Sequence, residues 1–188
     1  VSVLSPTPGI RLLAKLEGQN PAGSVKDRIA RAMIADAEAD GTLTPGRTII
    51  EPSSGNTGIA LAMIARLRGY HLKIVLPENV SVERRSMLEV FGAEIILTDA
   101  NRGTNGAIQV AEELARNDET YFMPFQYGNE ANVLAHYETT GAEILRDLPD
   151  TDALIQAMAM DKKVADGRIR LVLPVRLGEV VITDEIQI

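Results

Sequence analysis

Short apolar runs alternate with stretches of helical periodicity between residues 47 and 146. The apolar runs recur at residues 48–50, 72–76, 94–97 and 121–123. Runs of this length, separated by helical segments, are typical of parallel strands joined by right-handed crossovers. The pattern therefore predicts an α/β fold, an open parallel sheet with flanking helices.

The helical stretches carry predicted boundaries and inward faces. Gly69 and Gly92 stand where helices are expected to end, and Ser81 stands where one is expected to begin. The positions expected to face the sheet are Ile59, Met63, Ile64 and Leu67, then Val82, Met87, Leu88 and Phe91, then Ile108, Ala111, Glu112 and Ala115.

Further elements are predicted on both sides of this pattern. Residues 11–17 predict a strand, and residues 24–40 predict a helix that starts at Ser24. After Pro149 the strand and helix spacing is lost. In the tail after Pro149, the residue pattern predicts a helix over residues 153–164, strands over 168–173 and 180–182, and a turn at Gly178.

Composition narrows the classes of function. The chain has 188 residues, a net charge of −7 and no cysteine. An acidic chain without a basic stripe does not fit a nucleic-acid-binding protein. His71 and His136 lack ligand neighbours at helical spacing, so we expect no metal site. No apolar run approaches the ~20 residues of a membrane span, and no signal-peptide pattern opens the sequence, so we expect a cytoplasmic protein.

Lys26 is the first candidate for chemistry. If Ser24 caps the helix, Lys26 falls in its first turn. A helix N-terminus disfavours a cation by roughly 0.3–1 kcal/mol, and this favours the neutral amine that attacks carbonyl groups. Asp27, the next residue, weakens the effect. From position alone, a solvated surface lysine is the alternative.

The second candidate is the loop that follows the first apolar run. Its glycines permit close backbone approach, and the helix after it offers N–H groups to an anion. Its hydroxyl and amide side chains add further hydrogen-bonding groups. The loop consists of Ser53, Ser54, Gly55, Asn56, Thr57 and Gly58. An ordinary turn between a strand and a helix, with small capping residues, is the alternative.

Residues 10–150 resemble the cysteine synthases, pyridoxal-phosphate enzymes of the tryptophan-synthase-β type. The strings that carry the resemblance are residues 15–17, 20–28, 51–58, 77–79, 83–85, 126–129, 136–137 and 140–143. Threonine dehydratases share this layout but differ at Val25 and Thr57, where they carry phenylalanine and histidine. The string 77–85 is more similar to the B-type cysteine synthases than to the A-type.

The resemblance implies roles at the matching positions. Lys26 would hold pyridoxal 5′-phosphate covalently and take the α-proton of the substrate. Asn56 would hydrogen-bond the ring hydroxyl of the cofactor. The residues implied in binding the α-carboxylate of the substrate are Ser53, Ser54, Gly55, Thr57 and Gln126.

The resemblance also implies a transferase reaction in cysteine biosynthesis. An O-activated serine, O-acetylserine or O-phosphoserine, would lose its leaving group by β-elimination to give an aminoacrylate, and a sulfur donor would add to it. The cofactor would act as the electron sink. Expected partners are these small molecules and a second copy in a homodimer, with neither nucleic acid nor a membrane.

Part of the family pattern is missing after residue 143. The loop rich in glycine and threonine that holds the cofactor phosphate is expected there, but only Gly167 and Gly178 occur beyond that point. Isolated glycines do not form a nest of backbone N–H groups. We therefore expect weakened cofactor binding and impaired activity in a truncated chain.

A domain boundary is predicted near residues 149–152. Residues 1–150 would form the pyridoxal-phosphate enzyme region, and residues 151–188 a tail of different origin. Residues 153–183 resemble the C-terminal end of the 3-dehydroquinate synthases, which indicates a chimeric chain. Two alternatives to a cysteine synthase stay open: a non-catalytic fragment or anion-binding α/β module, and a fragment related to 3-dehydroquinate synthase.

Overall fold

The computed structural model describes residues 14–147 and, as backbone only, residues 171–176 and 179–183. Contacts group the chain into two compact units, Val1–Pro124 and Phe125–Ile188. The parallel sheet and the candidate residues Lys26 and Ser53 to Gly58 all belong to the first unit.

Strands and helices alternate through the first unit, as the periodicity predicts. The strands are β1 (Thr48–Pro52), β2 (His71–Pro77), β3 (Glu94–Thr98) and β4 (Tyr121–Phe122). The helices are α1 (Lys26–Ala39), α2 (Asn56–Arg68), α3 (Val82–Val90) and α4 (Gly103–Asn117). Short 3-10 turns cover Glu17–Gln19 and Ala100–Arg102.

The four strands form a parallel sheet in the order β3-β2-β1-β4. The chain runs outward from β1 through β2 to β3 and then returns to place β4 on the other side of β1. Right-handed crossovers therefore put α2 and α3 on one face of the sheet and α4 on the other. The predicted open parallel sheet with flanking helices is confirmed.

Apolar side chains fill both faces of the sheet. On the face of α4, Ile50 and Val75 pack with Ala107 and Ala111. Residues of β1 and β2 are buried regardless of the face they point to. Such continuous burial is typical of parallel strands covered by helices on both sides.

Several predicted details are wrong. On α2, Leu67 is 74% exposed, and the buried apolar residues are Ala60, Leu61, Ala62 and Ala65. Small residues are buried there because α2 lies between the sheet and α1. On α3, Val82 and Met87 are exposed and Leu88 is buried, since this helix covers β3 at the edge of the sheet, where less apolar surface is available.

The strand predicted over residues 11–17 is also wrong where the structure describes it. Residues 14–16 are irregular, and Glu17–Gln19 form a 3-10 turn. The local cause is the side chain of Glu17, which binds Arg28 and Asn20 and bends the chain back toward α1. Residues 11–13 lie outside the described residues.

The second unit contains short helices and a hairpin. They are α5 (Glu130–Ala135), a π-helical turn (His136–Gly141), α6 (Ala142–Asp147), β5 (Leu171–Arg176) and β6 (Glu179–Thr183). β5 and β6 pair antiparallel, which confirms the two strands predicted in the tail. The predicted helix over residues 153–164 and the turn at Gly178 lie outside the described residues, and the boundary near residues 149–152 stays a prediction.

Membrane spans and metal clusters are both absent from the described part of the chain. None of its helices combines the length and the apolar character that crossing a membrane requires. Within the same residues, no group of three or more His, Cys, Asp and Glu side chains is placed to hold a metal ion.

Candidate active site

The loop after β1 is built around the hydroxyl of Ser53. This residue follows the last residue of β1, is 6% exposed, and accepts the backbone N–H of Gly58 on its Oγ at 3.0 Å. A Cβ at position 58 would lie 3.3 Å from both Cβ and Oγ of Ser53. Glycine is therefore required at position 58 for this close approach. Only the hydroxyl hydrogen of Ser53 is left to donate to a ligand.

The next residues of the loop face a more open space. Ser54 and Gly55 are partly buried, Asn56 is exposed, and Thr57 is buried. A Cβ on Gly55 would meet no atom within 4 Å. α2 begins at Asn56, and of the N–H groups at its start that of Gly58 already donates to Oγ of Ser53 and to the carbonyl of Gly55. The loop thus offers hydroxyl, amide and N–H groups beside a position without a side chain.

The sheet places this loop at its topological switch point. The strand order reverses at β1, because β2 lies on one side of it and β4 on the other. In open parallel sheets, ligands bind outside the carboxyl ends of the strands where the order reverses. Ser53 to Asn56 leave the carboxyl end of β1, so the fold favours ligand binding at the predicted loop.

Lys26 is the first residue of α1 and is partly buried. Its backbone N–H donates to Oγ of Ser24 at 3.2 Å, so Ser24 supports the helix start from two residues before it. The predicted cap at Ser24 is wrong by one residue, because α1 begins at Lys26 and Val25 directly precedes it without a capping side chain. Gly23, at φ 84°, supplies the left-handed conformation that turns the chain into the helix. The prediction that Lys26 lies in the first helical turn is confirmed.

Acidic and amide side chains surround the turn before Lys26. Asp27 is 8% exposed, and its Oδ2 accepts the N–H of Ala22 at 2.6 Å. Burial raises the pKa of Asp27, and the nearby charge of Glu17 raises it further. Hydrogen bonds from Arg28 hold the pKa of Glu17 below its usual value. The two carboxyl groups are therefore shifted in opposite directions.

The helix pair brings Lys26 and the loop to the same end of the first unit. α1 and α2 pack side by side and contain 14 and 13 residues. Near their C-terminal ends, Glu38 accepts from Arg68 at 3.0 Å and from Tyr70 at 3.1 Å. Helices of nearly equal length that meet at their C-termini run in the same direction. Their N-termini, with Lys26 and Asn56, therefore lie at the same end.

Gln126 belongs to the second unit, where a tight turn fixes its backbone. Its carbonyl accepts Nδ2 of Asn132 at 2.9 Å. Phe125, just before it, has a left-handed φ of 53°, which is uncommon for a residue with a side chain. The N–H of Gly128 donates to the carbonyl of Phe125 at 3.0 Å and closes the turn. The role implied for Gln126 stays a prediction.

Three features of this region were not predicted from the sequence. Burial of Asp27 has no sequence signal beyond its place in the first turn of a helix. The left-handed Phe125 has none, since glycine or asparagine is the usual residue there. Arg84 on α3 donates to the carbonyl of Ser54 at 3.3 Å, which periodicity alone does not indicate.

Comparison with known families decides the identity of the scaffold. The sequence profile described as "Pyridoxal-phosphate dependent enzyme" matches residues 1–160. The chain belongs to this family. The switch-point loop and the lysine at the start of α1 both lie within the matched residues.

Individual relatives within the family are cysteine synthases and enzymes like them. A cysteine synthase of Flavobacterium sp. is 54% identical over 136 residues, which cover 72% of this chain and 44% of that protein. A hydrogen sulfide-producing enzyme of Fusobacterium nucleatum, solved as a crystal structure, is 50% identical with a TM-score of 0.67, over 72% of this chain and 44% of that one.

A third relative uses a named activated serine. The crystal structure of the O-acetylserine dependent cystathionine β-synthase of Helicobacter pylori matches 72% of this chain and 44% of that one, at 41% identity and a TM-score of 0.68. The chain thus spans less than half the length of these relatives, and the recognition of cysteine-synthase-like enzymes is confirmed.

The residues present fit a pyridoxal-phosphate cofactor at one end of the first unit. An amine at the start of α1 and an exposed amide at the start of α2 are the groups that bind an aldehyde and a phenolic oxygen. Gly55 leaves open the space that a Cβ would fill. Lys26 would hold the cofactor, and Asn56 would hydrogen-bond its ring.

Proposed function

We propose that this chain carries the lysine and the substrate loop of a cysteine synthase. The reaction is β-replacement on an O-activated serine by a sulfur donor, which forms cysteine. One observation carries the proposal: Lys26 and the Ser53–Gly58 loop open two helices that run in the same direction and begin at the same end of the first unit. The names of the relatives support it.

Each residue of the loop has a part in binding the substrate. The α-carboxylate is held by the hydroxyls of Ser54 and Thr57 and by the N–H groups that open α2. Ser53 contributes its remaining hydrogen and keeps the loop in place through Gly58. Gly55 leaves room for the carboxylate beside the backbone.

Lys26 has two tasks in the reaction. Its amine would hold the cofactor, and the same nitrogen would accept the α-proton of the substrate. When bound, pyridoxal phosphate supplies an electron sink for the carbon that loses this proton.

The cellular location, the substrates and the oligomeric state are inferred from the same family resemblance. We infer a cytoplasmic enzyme that acts on small molecules and forms a homodimer, as the family resemblance implies. The acyl or phosphoryl leaving group and the sulfur donor stay open, since O-acetylserine and O-phosphoserine share the carboxylate that the loop binds.

Covalent labelling tests the role of Lys26. The 188-residue chain is incubated with pyridoxal phosphate, reduced with borohydride and analysed by peptide mass spectrometry. We expect Lys26 to be labelled before Lys15 and Lys73, and the Lys26→Ala variant to lose the main adduct. Equal labelling of the three lysines in the unchanged chain would overturn the assignment, whatever the strength of cofactor binding.

A matched pair of ligands tests the loop. O-acetylserine is expected to slow the labelling of Lys26, whereas O-acetylserine methyl ester, which lacks the carboxylate, is expected to slow it much less. Protection by both ligands alike would contradict carboxylate binding at the loop. Binding of O-acetylserine by a chain whose Lys26 is not labelled would favour a non-catalytic anion-binding module instead.

A further inference from the structure

A series of polar contacts links Arg28 to Lys26, the first residue of α1, through side chains that precede the helix. Arg28 donates to both carboxylate oxygens of Glu17 at 2.9 Å. Nδ2 of Asn20 donates to Glu17 at 2.6 Å and to the carbonyl of Ser24 at 2.9 Å. Oγ of Ser24 accepts the N–H of Lys26 at 3.2 Å. We name Glu17, Asn20, Ser24 and Arg28 the Lys26 brace.

The ion pair at the far end of the brace is sheltered. The side chains of Arg28 and Glu17 are 19% and 18% exposed. Hydrogen bonds from Arg28 lower the pKa of Glu17, so this carboxylate is charged at neutral pH and accepts strongly. It therefore gives Asn20 a fixed anchor in the 3-10 turn before the helix.

We propose that Asn20 is a positioning residue for Lys26, a role that rests on the proposed function of that lysine. A primary amide carries two hydrogens on one nitrogen, and here one acceptor lies on each side of it. Aspartate has the same shape but no hydrogen to donate when ionised, and it would face the carboxylate of Glu17. The position therefore requires an amide rather than any polar residue.

The brace acts on the part of α1 that frays most easily. The first N–H groups of a helix have no partner within the helix, so the first turn depends on contacts from outside it. Asn20 holds the carbonyl of Ser24, and Ser24 holds the N–H of Lys26. Loss of the Asn20 amide therefore weakens the contacts that hold Lys26 at the start of the helix.

The test compares two Asn→Asp changes of the same chemistry. Asn101 also donates Nδ2 to a carboxylate, Asp99, at 3.0 Å in a 3-10 turn of the first unit. Asn20→Asp and Asn101→Asp therefore remove the same kind of bond at different places. In the full chain, labelling of Lys26 by pyridoxal phosphate is measured against Lys73 in the same molecule, together with amide hydrogen exchange at Lys26.

We expect Asn20→Asp to slow labelling of Lys26 about tenfold relative to Lys73 and to speed exchange of the Lys26 amide about tenfold. Asn101→Asp should leave both unchanged. Wild-type values for Asn20→Asp, or an equal effect of Asn101→Asp, would overturn the proposal.

The exchange measurement separates this proposal from the proposed function. If pyridoxal phosphate does not prefer Lys26 in the unchanged chain, the proposed function fails, but faster exchange in Asn20→Asp still shows that the brace holds the start of α1. If Asn20→Asp does not fold, Glu17→Gln serves instead, because the glutamine side chain still accepts from Asn20 but lacks the charge that binds Arg28. It should show a smaller slowing in the same direction, and wild-type labelling would overturn the proposal.

Discussion

Two helix starts in the first unit use a buried serine in the same way but are supported differently. Ser24 and Ser53 are 8% and 6% exposed, and each accepts a backbone N–H on Oγ. At α1, the support comes from the charged and amide side chains of Glu17, Asn20 and Arg28. At α2, it comes from Gly58, which lies so close to Ser53 that an added Cβ would be only 3.3 Å from it.

The difference separates two kinds of sensitivity. The Lys26 brace contains the ion pair of Glu17 and Arg28 and therefore depends on pH. Because its parts are flexible side chains, it can adjust to small changes in side-chain volume. The pairing of Ser53 with Gly58 does not depend on ionisation, but one added methyl group disturbs it. The lysine end of the site is therefore expected to respond to charge, and the loop end to volume.

The largest effect is expected for volume at the loop. In Gly58→Ala the new Cβ lies 3.3 Å from Ser53, which is held by its own hydrogen bond to Val75. Alanine gains up to about 1 kcal/mol of helix propensity, but overpacking costs typically about 1–3 kcal/mol. We expect a net loss of about 1 kcal/mol in the free energy of unfolding, measured by urea titration, and loss of protection by O-acetylserine.

Gly55→Ala is the matched control for this change. Its Cβ meets no atom within 4 Å, and Gly55 has an extended backbone that alanine also adopts. We expect its stability to stay within about 0.5 kcal/mol of the unchanged chain, while O-acetylserine binds more weakly because the methyl group occupies the open space. A larger stability loss in Gly55→Ala than in Gly58→Ala would contradict the close packing of Ser53 and Gly58.

The two helix starts also differ in how well their structure can be predicted from the sequence. The Lys26 turn and the Ser53–Gly58 loop are predictable because small residues, glycines and helix caps leave local signals. The parallel sheet with flanking helices follows from the alternation of strands and helices, but its strand order was not predicted. The exposed Leu67 was not predictable, because periodicity marks an apolar face without saying where the neighbouring helix ends.

The brace was beyond sequence reasoning for a different reason. Glu17 and Arg28 are separated by a 3-10 turn and a β-turn, and nothing in a single sequence says that these turns bring them within 2.9 Å. Residues 11–17 read as a strand because apolar and charged residues alternate there. The contacts of Glu17 outweigh that preference.

A smaller effect is expected when charge at the lysine end is changed. The pKa of Glu17 lies below its usual 4.5, so its stabilisation is present above that pH and is lost as the pH falls through the folded-state value. The pKa of Asp27 lies above its usual 3.8, so its contribution is present below that pH and is lost as the pH rises through the folded-state value.

Two isosteric changes test these opposite signs. Unfolding free energies are measured from about pH 3 to 7, a range that spans both carboxyl titrations. Glu17→Gln should remove about 0.5 kcal/mol of the stability that the unchanged chain loses on acidification. Asp27→Asn should become more stable relative to the unchanged chain as the pH rises. Parallel pH curves for the two variants would mean that the carboxyl groups do not differ as the structure indicates.

The smallest effect is expected at Arg84, a charged side chain of α3 that donates a hydrogen bond to the loop. It is exposed and donates to the carbonyl of Ser54 at 3.3 Å, so Arg84→Ala should cost no more than about 0.5 kcal/mol of stability. Arg85→Ala is the control, since Arg85 donates to Glu78 outside the loop. If the loop depends on packing alone, both variants should be protected by O-acetylserine as well as the unchanged chain is. Weaker protection in Arg84→Ala alone would show that charge also supports the loop, and the contrast between the two helix starts would then be one of degree.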